Sequence, residues 1–338
     1  MKTRLLFVLL IITATLSACK SCSKKEKKTK IDKESNNIQQ LKNEIQKDTN
    51  NALNYFFLGK AYADIDSFDL ALTQMLKAIT KKPRDPKLYS GLSNMFLKFN
   101  KSYESIDILK KYLSLVNPND VNILSQLGVH YLYVKKYHES IEIFNQILKL
   151  NPSNADAYFY KALNYDELGE FNKAVSTLQT AVEQNSNHIA SYLKLGNMYY
   201  LKNDEKCMLY YNNALRIDSL NAEAMYGIAM YLQDNNKKKD ALQWYRKIIM
   251  NEPQNFDAHF NTGYIYYISD SLPKAERSFD RAIQIEPASS VAYTYRGLTR
   301  LKMKKNNEAR KDLNQALIFD KDNEEARKGL DVLDKTSK

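Results

Sequence analysis

From residue 52 onward, large and small positions alternate in a fixed rhythm. Tyr55, Leu58 and Tyr62 fall at i, i+3 and i+7, one face of a helix, and Ala71, Met75 and Ala78 mark a second helix that Pro83 ends. The same pattern returns with starts at Ala52, Pro86, Val121, Ala155, Ile189, Ala222, Phe256 and Ser290, spaced by 34, 35, 34, 34, 33, 34 and 34 residues. A period in this range predicts stacked helical hairpins, each burying its apolar face on its neighbours.

Two positions are small in every unit. Position 8 is Gly59, Ser93, Gly128, Ala162, Gly196, Ala229, Gly263 and Gly297; position 20 is Ala71, Ser105, Ser140, Ala174, Cys207, Ala241, Ala275 and Ala309. Antiparallel helices approach closely only where neither carries bulk, so a small residue at 8 is expected to face a small one at 20, with position 24 filling the adjoining space. Proline closes the second helix at Pro83, Pro118, Pro152, Pro253 and Pro287. The second unit has one extra residue towards the end of its second helix and the fifth lacks one around Asn203 to Lys206. With Ser186 and Ser219 in place of proline, the array is expected to bend or loosen between 185 and 222.

A large residue at position 4, Leu-Gly at 7 and 8, an aromatic at 11, Ala at 20 and 27, a large apolar at 24 and Pro at 32 resemble the tetratricopeptide repeat. The resemblance covers residues 52 to 323 in units 52-85, 86-120, 121-154, 155-188, 189-221, 222-255, 256-289 and 290-323. It implies an all-α tetratricopeptide-type α-solenoid, a right-handed superhelix of about eight hairpins. Ile38, Leu41 and Ile45 in 37-51, and Ala326, Leu330 and Leu333 in 324-338, supply apolar stripes for capping helices.

The first residues read differently. Lys2 and Arg4 precede an apolar run from Leu5 to Leu16, too short for a bilayer but suited to a signal peptide. Leu16-Ser17-Ala18-Cys19 then resembles the lipobox of bacterial lipoproteins, which implies cleavage after residue 18 and acylation of Cys19; an ordinary cleaved signal is the other reading. Lys20 is not the aspartate that holds many such proteins in the inner membrane, and no acidic run follows, so the resemblance points to the outer membrane, facing the periplasm. Residues 19-36 form a lysine-rich stretch in which Ile31 is the sole large apolar side chain, a tether that reaches up to roughly 60 Å. Its lysines either meet anionic headgroups or serve as a solvated spacer.

Composition agrees with helices, since 338 residues hold only 9 Gly and 7 Pro. The net charge of +11 is concentrated before residue 31, leaving +4 over the rest, which argues against nucleic-acid binding. With three cysteines no disulfide framework is expected. The histidines His130, His138, His188 and His259 lack zinc-like spacing, and phosphate-binding and hydrolase motifs are missing, so neither an enzyme nor a metal or cofactor site is expected. His259 takes the large position 4 and reads as core.

In the resembled family, positions 2, 5, 9, 12 and 13 line a concave surface. Here they include Phe56, Lys60, Asn94, Tyr133, Phe159, Asp166, Asn197, Tyr200, Tyr226, Met230, Phe260, Tyr264 and Tyr267. Aromatics with interleaved amides suit a groove for a protein or peptide ligand, the strongest patch being Tyr226, Met230, Phe260, Tyr264 and Tyr267; packing between adjacent repeats is the competing use of these rings. The family's carboxylate clamp for chaperone tails is not matched, because Asn94 is followed by Gln126, Asp156 and Tyr160, and Asn197 by Gly227, Asp257 and Asn261. The expectation is a membrane-anchored scaffold or assembly adaptor for an envelope complex; the alternative is capture of peptide or glycan for uptake.

Overall fold

The computed structural model describes residues 36–336. The signal segment 1-18, the acylation expected at Cys19 and the tether up to residue 35 lie outside the described residues.

The described residues form α-helices joined by short turns, with no strand among them. Helix α1 spans 36–47. Eight first helices follow: α2 (Ala52–Asp64), α4 (Pro86–Lys98), α6 (Val121–Tyr133), α8 (Ala155–Glu167), α10 (Ile189–Leu201), α12 (Ala222–Asp234), α14 (Phe256–Ile268) and α16 (Ser290–Lys302). Each pairs with a second helix: α3 (Phe68–Lys81), α5 (Ser102–Leu115), α7 (Tyr137–Leu150), α9 (Phe171–Gln184), α11 (Lys206–Ile217), α13 (Lys238–Asn251), α15 (Leu272–Ile285) and α17 (Asn306–Phe319). Helix α18 (Glu324–Thr336) comes last. The chain divides into two compact units, one ending at Pro152 and one beginning at Ser153.

Local chemistry explains where these helices start and turn. Every first helix has a polar N-cap, Asn51, Asp85, Asp120, Asn154, His188, Asn221, Asn255 or Ser289, whose side chain accepts a backbone N–H of the first turn. The reversal to the second helix passes through a residue of positive φ: Asp66, Asn100, Lys135, Gly169, Asn203, Asn236, Asp270 and Lys304. The second unit's extra residue falls in the turn after α5, at Val116, rather than within the helix.

The hairpin core refines the expected pairing. A Cβ on Gly59 would lie 2.6 Å from Met75 Cγ, one on Gly128 2.7 Å from Phe144 Cζ, and one on Gly196 2.5 Å from Tyr211 Cε1. Position 8 is thus small to admit the bulk at position 24, whose occupants, Met75, Leu109, Phe144, Leu178, Tyr211, Tyr245, Phe279 and Leu313, are at most 2% exposed. Position 20 meets position 8 edge-on: the Ser140 hydroxyl donates to the Gly128 carbonyl at 2.8 Å, and Ser105 to that of Ser93 at 2.9 Å.

The connections without proline are not loose. Leu178 of α9 packs with Leu195 and Met198 of α10, and Tyr211 and Ala214 of α11 with Met225 and Ile228 of α12. At the ends, Ile38 and Leu41 of α1 are buried against Leu58 and Tyr62, and Ala326 and Leu333 of α18 against Leu313 and Ala316.

Candidate functional site: the first-helix face

Within each unit, neighbouring first helices touch, α2 with α4 and α4 with α6, then α10 with α12 and α14 with α16. No pair of second helices approaches as closely among the described residues. In a bent stack the closer layer lies on the inside, so the first helices line the inner face of each unit.

In the first unit that face carries Phe56 and Tyr133. Phe56 is half-buried, its ring edge-on to Phe57 at 5.6 Å and seated over Gly91, where a Cβ would be 2.2 Å away. Tyr133 is 65% exposed, open to any partner. Lys60 and Asn94 are exposed on the same helices.

The second unit gathers the rest. Phe159 is half-buried between Tyr160 and the His188 ring, with centroids 5.4 Å from each. His188 is thereby placed: Nδ1 receives the Ser191 N–H as N-cap of α10, and Nε2 lies 3.0 Å from an Asp156 carboxylate oxygen. Asp166 pairs with Lys194 at 2.6 Å. The Asn197 amide is committed on both sides, its Oδ1 accepting from Tyr211 Oη at 2.7 Å and its Nδ2 donating to Glu223 at 3.1 Å. Tyr200 donates to Asp234 at 2.8 Å, and burial followed by this bond raises its pKa. Tyr226 accepts from Asn261 Nδ2 at 3.1 Å; burial, then the Asp257 carboxylate, push its phenol up to about 12. Met230 Sδ receives the Tyr245 hydroxyl at 3.1 Å.

Phe260, Tyr264 and Tyr267 converge on one ring that the sequence pattern did not single out. Tyr295 of α16 lies edge-on to all three, with centroids at 5.6, 5.3 and 5.7 Å. Lys302 covers the Tyr267 ring at 4.2 Å. All four aromatics are half-buried, each partly used as packing and partly offered to solvent. The signal for Tyr295 was position 6, the seam residue. Position 6 of one hairpin meets position 5 of the preceding one in Gly91 with Phe56, Gln126 with Ser90, Asn261 with Tyr226 and Tyr295 with Phe260.

Carboxylates also stand on this face. Asp257 of α14 is lifted above the usual carboxylate range by desolvation. A site that grips a carboxylate needs cations there instead. Among the described residues no cluster of His, Cys, Asp and Glu is arranged to hold a metal ion. Cys207 is fully buried and burial raises its thiol to about 11, so it is held as the uncharged, unreactive form.

Tetratricopeptide-repeat family profiles match residues 131–196 and 226–290. The chain carries tetratricopeptide repeats. The C-terminal part of a tetratricopeptide repeat-containing protein from Cytophaga hutchinsonii shares the fold at a TM-score of 0.58, with 17% identity over 71% of this chain and 98% of that solved part. Tetratricopeptide repeat protein 6 of Homo sapiens is 24% identical over 165 residues, 47% of this chain and 30% of that protein. The Hsp70-Hsp90 organising protein of Plasmodium falciparum is 24% identical over 146 residues, 41% of this chain and 25% of that protein. The matches thus span roughly a quarter to a third of these relatives' own length. The fold is an all-α solenoid of the tetratricopeptide type, and proteins with such repeats generally mediate protein–protein interactions.

Proposed function

We propose that this chain is a lipid-anchored scaffold of a bacterial envelope, acylated at Cys19 and holding a peptide segment of a partner protein on the first-helix face of its second unit. The observation that carries the reading is the row of half-buried rings, Tyr226, Phe260, Tyr264, Tyr267 and Tyr295, on successive first helices. Their edges are fixed from behind by Tyr245, Phe279 and one another. A rigid aromatic surface loses little side-chain freedom when a ligand arrives, so more of the contact energy appears as affinity. With Asn197 and Asn261 engaged inside the protein, the rings rather than the amides make the principal contacts.

Anchorage rests on Leu16-Ser17-Ala18-Cys19, and Lys20 favours the outer membrane with the solenoid in the periplasm. No helix among the described residues is long and apolar enough to cross a membrane. A photo-crosslinking amino acid in place of Tyr264, activated in intact cells, should join the chain to a protein. A small-molecule or glycan adduct, or no adduct, overturns the peptide groove. Blocking lipoprotein signal processing should raise the apparent mass, and an unchanged mass overturns the Cys19 assignment.

A further inference from the structure

The outer side of the second unit carries a feature that the repeat pattern does not require. Position 22 of each hairpin points away from the core and is polar in seven units, as Thr73, Asp107, Glu142, Ser176, Gln243, Arg277 and Lys311. In the fifth it is Leu209, which is 57% exposed. Beside it runs a groove of about 540 Å³ between α11 and α13, with Leu209, Met225 and Trp244 as apolar wall and floor and Asn213, Arg216 and Lys247 as polar lining. This is the hairpin whose second helix has 12 residues where α9 and α13 on either side have 14, and whose closing proline is Ser219.

Cations outnumber carboxylates on the two helices that wall the groove, although Asp240 lies on α13 and Asp218 caps α11. Helix α11 carries Lys206 and Arg216 and no carboxylate; α13 carries Lys238, Lys239, Arg246 and Lys247 against Asp240 alone. None of these six cations forms an ion pair among the described residues. Arg216 Nη1 only leans towards Asn213 Oδ1 at 3.4 Å, and Lys247 Nζ lies 3.9 Å from the centre of the Trp244 ring. Apolar side chains framed by uncompensated cations complement an apolar residue flanked by carboxylates. The chain's own lysine-rich segment from Lys20 has the wrong sign to fill the groove.

We propose that the groove between α11 and α13 docks an acidic peptide segment of a partner protein, with an apolar side chain against Leu209 and Trp244 and carboxylates on Arg216 and Lys247. The site is separate from the first-helix face and does not depend on it. Random twelve-residue peptides selected on the purified full chain should include a class with Asp or Glu around a large apolar residue. Such a peptide should change the fluorescence of Trp244, the chain's single tryptophan, saturably and less at high salt. Arg216→Glu with Lys247→Glu should weaken binding by about tenfold or more. Leu209→Ser, which restores the polar residue of the other hairpins, should weaken it with the melting temperature unchanged, while Tyr264→Ala leaves it intact.

Selection of no acidic class, selection of lysine- or arginine-rich peptides, or unchanged affinity in both variants overturns the proposal. So does an equal Trp244 response to a mixed-sequence oligonucleotide, or a self-associated chain whose dissociation by Leu209→Ser shows the groove to be filled by a second copy. Loss of binding in Tyr264→Ala, with Arg216→Glu and Lys247→Glu silent, would assign the peptides to the first-helix face and likewise overturn it.

Discussion

His130 sits beneath Ser93 and Ser105, with Nδ1 at 3.1 Å from the Ser105 hydroxyl and 3.4 Å from that of Ser93, and is 6% exposed. The surrounding helices α4, α5 and α6 offer hydroxyls and apolar groups but no paired carboxylate, and burial drops the imidazole from 6.5 to about 4. A depressed folded-state pKa means that the unfolded chain takes up the proton first. The stability from neutral His130 is full above pH 6.5, declines as pH falls, and is lost through pH 4, a difference of about 3 kcal/mol. Denaturant midpoints between pH 7 and 4 should fall steeply in the native chain and less in His130→Gln; equal slopes would show that His130 is not the titrating group. Other residue-scale features were legible to different degrees. The small positions 8 and 20 stood out because sterics admit few substitutes, whereas the positive φ at position 15 was hidden, since Lys135 and Lys304 accept it without the glycine that usually signals it.

At the scale of elements, the eighth hairpin is joined to the seventh by charge. Arg296 at position 7 and Arg300 at position 11 replace the usual leucine and aromatic. Arg296 makes two bonds to Asp312, at 2.9 and 2.6 Å, and one to Asp280 at 2.8 Å. Arg300 reaches Glu276 and Asp312, each at 2.8 Å, tying α15, α16 and α17 together. Hydrophobic periodicity could not disclose this seam, because it scores an arginine as a break in the pattern rather than as half of a buried pair. Asp312 has 5% side-chain exposure, so Asp312→Ala would leave two guanidinium groups short of their shared carboxylate. A loss of about 3 kcal/mol is expected. Hydrogen exchange should quicken first in α16 and α17, and an unchanged denaturation midpoint would mean that water replaces the lost carboxylate at little cost.

For the whole molecule, the fold class was legible because the repeat restates it many times over, and a departure in one hairpin is outvoted by the others. The candidate site was less legible. The positions on the first-helix face follow from the register, but whether a ring there packs or protrudes depends on the next hairpin, as Tyr295 shows for Phe260, Tyr264 and Tyr267. Within each unit, consecutive hairpins pack on one another, so damage should stay local. Helix α18 covers Leu313 and Ala316 with Ala326 and Leu333, and has no further hairpin behind it among the described residues. Deleting residues 324–338 exposes that surface and should destabilise α16 and α17, visible as faster amide exchange and a tendency to associate. Helices α8 to α11 should keep their protection, since their cores are built from Leu178, Leu195 and Met198, far along the stack from the cut. Uniform loss of protection from α8 to α17 would instead mean that the second unit unfolds as a single cooperative body, and that the hairpins do not hold their stability one by one.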